Sequence, residues 1–402
     1  MNLNFFTAKF PYTTAEPIVE NEFPYLADSF NKIKIFTHST FSKPVFKRTV
    51  PENTEIVDLF DFNEIELTFK YKIQILAFFL VEFVNCPNKR FFIKKAKLWL
   101  SYLKIAAKKA KHIEDFNLLL PNSVNYSYWM NDWALVLTFL KRRKTVSNFV
   151  FRCGGFDIWD ERHPGNYLPF RSLIYRYADQ VMPNSKISEE YIKSKTKFKS
   201  KVNHKYLGTI DCGMGFTEVD NDILTIVSCS SIIPLKRVEL IIEILANVER
   251  KIRWVHFGDG KQMNDLKVLI KKKLDKHEVE LKGMISNSDI MKFYTENCID
   301  LFITTSSTEG LPVSIQEAIS CGIPIIATNV GAMTEVVNEV TGILIEKDFD
   351  VREVANLLEN WQNSTFNTEN RREEIRRFWQ LNFDAKQVYP SFISDIKSIS
   401  NY

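Results

Sequence analysis

The sequence predicts an α/β protein built of doubly wound domains, and three observations carry the prediction. From Ile223 onward, short apolar runs alternate with segments of helical period about ten residues long, the pattern of βαβ units. The runs are continuously apolar, as strands are when helices cover both faces of a parallel sheet. The 402 residues also exceed the size, about 250 to 300 residues, at which single cores stop growing, so two to three domains are expected.

The second half reads, in order, as Ile223–Cys229 then Val238–Val248, Arg253–Phe257 then Met263–Leu274, Val279–Lys282 then Asp289–Glu296, Asp300–Thr304 then Val313–Ser320, and Ile323–Ala327. In the first half, Leu3–Thr7, Lys32–Thr37, Glu55–Leu59 and Phe149–Arg152 read as strands. Ile18–Ser29, Leu67–Asn85 and Arg90–Lys111 read as helices, giving a second α/β domain with long helical insertions. The polar stretch Lys199–Asp222, with Gly208, Gly213 and Gly215, suits a linker between them.

Composition narrows the classes. At 45% hydrophobic and 25% charged the chain is globular, and a net charge of +4 is too weak to imply nucleic acid, for which no binding module is recognised either. Six scattered cysteines without a CxxC pair fit free thiols in a reducing compartment. Met1–Phe6 is too short an apolar stretch for a secretory leader, and no apolar run reaches about 18 residues, so the expectation is a cytoplasmic chain, attached at most peripherally to the inner face of the cell membrane. All 13 glycines lie between Gly154 and Gly342, which directs any phosphate loop of bare backbone to the later part of the chain.

Ligands of doubly wound sheets bind beyond the carboxyl ends of the strands. After Ile223–Cys229 comes Ser230-Ser231-Ile232-Ile233-Pro234-Leu235-Lys236-Arg237, which sets two cations at the start of a helix. They oppose the helix dipole there, so they read either as a site for a bound anion or as a solvated pair. Gly258-Asp259-Gly260 and Gly283 end the next two strands as tight turns. The run Ser306-Ser307-Thr308-Glu309-Gly310-Leu311-Pro312 follows the fourth strand and leads into Val313-Ser314-Ile315-Gln316-Glu317-Ala318. Gly310 allows close backbone approach, and Pro312 suits a first helical turn. Glu317, on an otherwise apolar stretch of helix, reads as an acceptor for a diol such as ribose or for a buried structural donor.

Glu309-Gly310-Leu311-Pro312 with Glu317, continuing through Ala318 to Thr328, Gly331, Glu335 and Gly342, resembles the EGxP…E signature of the retaining glycosyltransferases of family four, which have the GT-B fold. Pro234-Leu235-Lys236-Arg237 is similar to that family's PxKG/PxKR loop, and Gly258-Asp259-Gly260 to its GDG turn. The resemblance runs from about Ile223 to Leu358. It implies two Rossmann-like doubly wound domains facing across a cleft: 1–205 for the acceptor, 206–385 for a nucleotide sugar, and a C-terminal helix at 386–402 returning to the first. It also implies Glu309 and Lys236 as the catalytic pair. Lys236 faces the diphosphate, Glu317 the ribose, and Glu309 with the backbone of Gly310, Leu311 and Pro312 the sugar hydroxyls. Ser231, Arg237, Gly258, Gly283 and Met284 complete the donor set. No cofactor or metal is implied beyond the nucleotide-diphosphate sugar itself. The Asp220/Asp222 and Asp348/Asp350 triplets are poor metal ligands, one preceding its strand and the other standing where a helix cap is expected.

The chain departs from the family at three places. Ser231 stands where an Arg is frequent, the first strand is followed by Lys9-Phe10-Pro11-Tyr12-Thr13-Thr14-Ala15-Glu16 with no glycine, and the family's sugar-contacting His falls at about Gly154. Phe10-Pro11, Glu20-Asn21-Glu22 and Arg152-Cys153-Gly154-Gly155-Phe156-Asp157 nonetheless resemble the subset that builds bacterial surface polysaccharides, which implies a glycan acceptor, lipid-linked in that subset. Acceptor-side candidates are Arg152 and Asp157, with His163 either a cleft residue or a surface-loop one.

Between Glu82 and Glu114 there is no acid, while nine Lys and Arg fall within 89–111, interleaved with Phe91, Phe92, Trp99 and Tyr102. This reads as a basic amphipathic helix facing an anionic membrane surface or as a lysine-rich solvated face. The functional expectation is sugar transfer from a nucleotide donor. The alternatives are a GT-B donor-binding subunit with impaired catalysis and a sugar-nucleotide epimerase.

Overall fold

The computed structural model describes residues 1–12, 16–38, 47–59, 62–216 and 223–399. Thr13 to Ala15 of the first loop, and Asp220 and Asp222, lie outside them. The chain divides into two compact units, Met1–Tyr206 with Tyr389–Tyr402, and Leu207–Val388.

In the first unit β1 (Asn2–Phe6), β2 (Ile33–Thr37), β3 (Thr54–Asp58), β4 (Ser123–Ser127), β5 (Val150–Cys153) and β6 (Gln180–Pro183) form one sheet in the order β3-β2-β1-β4-β5-β6. The second unit repeats this plan. Its strands β7 (Leu224–Cys229), β8 (Ile252–Phe257), β9 (Glu278–Gly283), β10 (Leu301–Thr304), β11 (Ile325–Thr328) and β12 (Gly342–Ile345) run β12-β11-β10-β7-β8-β9. Every pair is parallel, with Leu3 opposite both Ile33 and Val124 in the first sheet and Val227 opposite both Phe302 and Val255 in the second. These are the doubly wound Rossmann-like domains that the sequence predicts. In each, the strand order reverses next to the first strand, between β1 and β4 and between β7 and β10, which is where such sheets open a crevice for ligands.

The central strands are buried on both faces: Leu3, Phe5, Ile35, Ile226, Val227, Phe302 and Ile326 expose 2% or less. The sequence reading misses β4, β6 and β12. Ser123-Val124-Asn125-Tyr126-Ser127 lacks a continuous apolar run because Asn125 and Ser127 are buried polar groups. The Asn4 amide donates to Asn125 Oδ1 at 3.0 Å, and the Asn125 amide to the Asn148 carbonyl at 2.9 Å. A polar ladder thus takes the place of apolar packing at the amino end of the first sheet, and burial is tolerated because each amide has a partner.

Residues 199–206, read as linker, belong to the first unit, where Val202 bridges to Val181. The Ala385–Ser398 helix carries the chain back to the first unit, and its Phe392 ring lies 3.9 Å from the Arg152 guanidinium carbon. No helix among the described residues is long and apolar enough to cross a membrane.

Candidate functional site

The loops leaving β7 and β10 meet at the switch point of the second sheet. Ile233 caps a single 3-10 turn, Pro234–Lys236, and Arg237 takes a left-handed conformation (φ 47°) before the Val238–Leu245 helix. Thr305 Oγ1 donates to the Arg237 carbonyl at 2.8 Å, and the Ser307 amide to the Leu235 carbonyl at 2.8 Å. One hydroxyl and one backbone N–H of the β10 loop thereby hold the β7 loop on either side of Lys236.

Lys236 Nζ forms an ion pair with Glu309 Oε1, and Ser306 Oγ donates to the same oxygen at 2.6 Å. Both charged side chains are mostly buried, yet each keeps some exposure, 25% for Lys236 and 12% for Glu309. Gly331 holds Glu309 from behind: its φ is 57°, and a Cβ there would lie 2.0 Å from the Glu309 carbonyl oxygen. Glu309 is therefore positioned from three sides, by a cation, a hydroxyl and a glycine.

Glu317, in the Val313–Ser320 helix, is 8% exposed and accepts at Oε1 from Asn287 Nδ2 at 2.8 Å. Burial pushes its carboxyl up to about 7, against the smaller opposing pull of the Asn287 hydrogen bond. Burial likewise pushes the Cys229 thiol, at the end of β7, up to about 12, with the charge of Glu317 adding to the rise and that of Lys236 opposing it. A protonatable acid and a paired cation thus flank the end of the same strand.

The other residues expected on the donor side differ in what they expose. Leu311 is 4% exposed, so its side chain serves the core and only its backbone is available to a ligand. Pro312 caps the helix from just outside it instead of standing in its first turn, and it has no N–H, so of Gly310, Leu311 and Pro312 only the first two have an N–H to donate. Ser231 and Met284 are exposed, Met284 at 73%, beside the chain ends of β7 and β9.

Gly258 is needed by the protein's own backbone: at φ 134° its Cβ would lie 2.0 Å from the Ser230 carbonyl oxygen. Gly260 stands in the same relation to Ile232, at 2.2 Å. The turn is pressed against the β7 loop, whose Ile232 amide donates to the Asp259 carbonyl at 3.0 Å. Gly283 has φ 66° with open space where a Cβ would stand.

Arg237 departs from the expected anion pair. Its Nε donates to the Thr305 carbonyl at 2.7 Å and its Nη2 to the Lys347 carbonyl at 2.9 Å, with Asp348 at 3.9 Å. The guanidinium ties β7, β10 and the segment after β12 together, which leaves Lys236 as the cation of this loop that faces Glu309. Asp350 is the cap of the Val351–Glu359 helix, accepting from the Arg352 amide at 2.8 Å. Among the described residues no cluster of three or more His, Cys, Asp or Glu is placed to hold a metal ion.

On the first unit the acceptor-side candidates separate. Arg152 is 2% exposed, with Nε 3.1 Å from Glu22 Oε2 and Nη1 donating to the Lys205 carbonyl at 2.8 Å. Tyr126 Oη donates to Glu22 Oε1 at 2.8 Å. This is an interior ion pair, so Arg152 as an acceptor contact is corrected: the side chain has no face toward a ligand. Asp157 accepts from the Met130 amide at 3.3 Å, and burial pushes its carboxyl up to about 6. His163 Nε2 donates to the Phe156 carbonyl at 2.7 Å, its ring 4.4 Å from that of Phe156, within a surface loop.

The glycine-free loop after β1 has a device that the sequence reading missed. Glu16, at φ 57°, accepts backbone N–H bonds from Ala8 at 3.1 Å, Lys9 at 2.5 Å and Phe10 at 2.7 Å, and the Trp129 indole N–H at 2.5 Å. A carboxylate of the chain fills the concave row of amides, the kind of nest that otherwise takes an anion. Asn287 and Ser306 were also missed. Ser286-Asn287-Ser288-Asp289 is a capping box, and its Ser286 hydroxyl accepts from the Asp289 amide at 3.1 Å, so the start of a helix beyond a strand end was there to be read.

The family described as Glycosyl transferases group 1 matches residues 216–378, a stretch that lies within the second unit. Among curated relatives, the Phosphatidylinositol N-acetylglucosaminyltransferase gpi3 subunit of Schizosaccharomyces pombe is 25% identical over 187 residues, 44% of this chain and 41% of that protein. The O-antigen biosynthesis glycosyltransferase WclY of Escherichia coli is 23% identical over 194 residues, 46% of this chain and 52% of that protein. The chain thus spans about half or less of the length of these relatives. Among solved structures, Anabaena Alr3699/HepE in complex with UDP-glucose superposes with a TM-score of 0.68 at 16% identity, over 99% of this chain and 100% of that one. At that identity the likeness speaks for the fold alone: the chain, with one doubly wound sheet in each of its two units, has the GT-B fold.

Proposed function

We propose that the protein is a retaining, metal-independent glycosyltransferase that moves a sugar from a nucleotide-diphosphate sugar to a glycan acceptor, lipid-linked, in the synthesis of a bacterial surface polysaccharide. The observation that carries this reading is the Lys236–Glu309 pair at the switch point of the second sheet, with Glu317 buried beyond the neighbouring strand end. Lys236 is the group to take up the negative charge that grows on the departing diphosphate, and cationic stabilisation of that charge is the largest effect a site of this kind has to offer. Glu317 accepts from the ribose hydroxyls, which replace Asn287 or add to it. Glu309 releases part of its hold on Lys236 to accept from sugar hydroxyls, with the Gly310 and Leu311 amides beside it. The solved relative bound to UDP-glucose supports a uridine nucleotide as the first donor to try. The group-1 match and the O-antigen relative support transfer to a glycan.

The deciding experiment incubates the full chain with a panel of nucleotide sugars and a glycan-lipid extract and follows nucleoside diphosphate release, with the anomeric configuration of the product read by NMR. Failure to bind any donor sinks the reading, and inversion at the anomeric carbon sinks its retaining part.

A second reading, a donor-binding subunit with impaired catalysis, is favoured by one observation. Ser231 supplies no cation, and the Arg237 guanidinium is engaged by backbone carbonyls, so it does not replace one. Tight donor binding with no product across a broad acceptor panel would select it.

A further inference from the structure

The Phe69–Asn85 helix is apolar on two opposite faces. Tyr71, Ile75 and Phe78 pack into the core of the first unit, and the helix turns its one acid inward with them: Glu82 is 1% exposed and accepts from the Tyr167 hydroxyl at 2.7 Å and the Phe170 amide at 2.9 Å. Outward, at the i, i+4, i+7, i+11, i+14 spacing of a single helical stripe, stand Phe69, Ile73, Leu76, Leu80 and Phe83, with Val84 at the end of the row. Their exposures are 76, 50, 58, 53, 40 and 74%. A globular helix normally reverses this arrangement, hiding leucines and showing charge. From Ile73 to Val84 the row is about 16 Å long at 1.5 Å per residue, and it holds no charged side chain on its outer face.

What covers this row is indicated by its surroundings. The next helix, Lys89–Asp115, packs against it through Phe92, whose ring lies 5.0 Å from Phe79 and 5.1 Å from Phe83. That helix exposes Lys94, Lys97 and Lys104, and no acid occurs between Glu82 and Glu114. Lys89 sits at the junction, with Nζ 4.9 Å from the Phe83 ring centroid and donating to the Cys86 carbonyl at 2.7 Å. A long apolar row, next to a helix face that carries lysines and no acid, with Ile93, Leu98, Tyr102 and Ile105 exposed among them, is complementary to a surface with a hydrocarbon interior and anionic headgroups. A second copy fits poorly, because an isologous contact through this face would bring one lysine row against another.

We propose that the Phe69–Asn85 helix lies in the interface of an anionic lipid bilayer, with its outer apolar row among the acyl chains and the Lys89–Asp115 lysines on the headgroups. The sequence reading set the membrane contact at 89–111 alone; the exposed row moves its apolar part to the preceding helix and leaves the electrostatic part where it was. The surface is independent of the donor site, so it stands or falls apart from the proposed activity.

Cosedimentation of the full chain with vesicles of phosphatidylcholine, and of phosphatidylcholine with phosphatidylglycerol, tests it. The expected result is binding to the anionic vesicles, weakened at least about tenfold in a Leu76→Glu, Leu80→Glu variant whose circular dichroism and UDP affinity match the parent. A Lys94→Glu, Lys97→Glu, Lys104→Glu variant is expected to lose a similar factor and to lose most of its salt dependence. Absence of vesicle binding by the parent chain overturns the proposal. So does undiminished binding by the Leu76→Glu, Leu80→Glu variant. A parent dimer in analytical ultracentrifugation that the same variant disperses overturns it in favour of a second copy. Vesicle binding without any nucleotide affinity would leave this surface in place and remove the proposed transferase activity instead.

Discussion

Lys236 and Glu309 form an ion pair between the loops that leave two neighbouring strands, β7 and β10, at the point where the strand order of the second sheet reverses. Ser306 donates to the same Glu309 oxygen, and Gly331 stands directly behind its carbonyl. Both charges are thus held in position by the chain's own groups.

Lys236→Ala is expected to lower nucleoside diphosphate release by about a hundred- to a thousandfold, the usual loss on removing one preorganised charge-stabilising group. Leaving Glu309 without its cation is expected to cost about 1 to 3 kcal/mol in urea unfolding as well. Lys236→Arg, which keeps the charge, should restore most of the stability and only part of the rate. Unchanged turnover in Lys236→Ala would remove the lysine from the chemistry.

Glu317 makes stability depend on pH in a calculable direction. Its carboxyl lies at about 7 in the folded protein against an ordinary 4.5, so the folded state binds the proton more tightly than the unfolded one. The contribution is full below about 4.5 and is lost as the pH rises through 7. Glu317→Gln has no such group. Its stability relative to the parent is expected to improve by on the order of 3 kcal/mol between pH 4.5 and pH 8, read by denaturant unfolding at both ends. Parallel pH curves for the two proteins would contradict the burial argument.

Three glycines should respond differently to alanine. Gly258→Ala and Gly331→Ala each force a Cβ to 2.0 Å from a carbonyl oxygen at a left-handed φ, whereas Gly283→Ala adds a methyl to open space. The first two are expected to lose several kcal/mol or to shift the loop, and Gly283→Ala about 1 to 2 kcal/mol from its φ alone. For Gly331→Ala, nucleotide-sugar affinity should fall further than UDP affinity, since the displaced group is Glu309. Equal thermal midpoints for Gly258→Ala and Gly283→Ala would refute the close approach.

The interior pair of Arg152 and Glu22 is tested by unfolding. Arg152→Met or Glu22→Gln alone leaves a buried charge without its partner and is expected to cost about 3 to 5 kcal/mol. The double change to Met and Leu should recover much of that loss. A stable Arg152→Met protein with a defect confined to the acceptor KM would return Arg152 to the acceptor site.

The fold class, and five of the six strands of the second sheet with the loops that carry Lys236 and Glu309, were legible in the sequence, because parallel strands read as apolar runs. Those signals are local along the chain. What only the tertiary structure decided is non-local. β4 was hidden because its buried Asn125 is satisfied by Asn4 and Asn148, which are distant in sequence. Arg237 and Arg152 look like ligand cations until their carbonyl and carboxylate partners are seen. The Phe69–Asn85 helix reads simply as a helix, and from Ile73 onward its apolar residues stand on the inner and the outer face alike. Which apolar face is covered depends on what packs against it, and hydrophobic side chains carry no mark of that in their own identity.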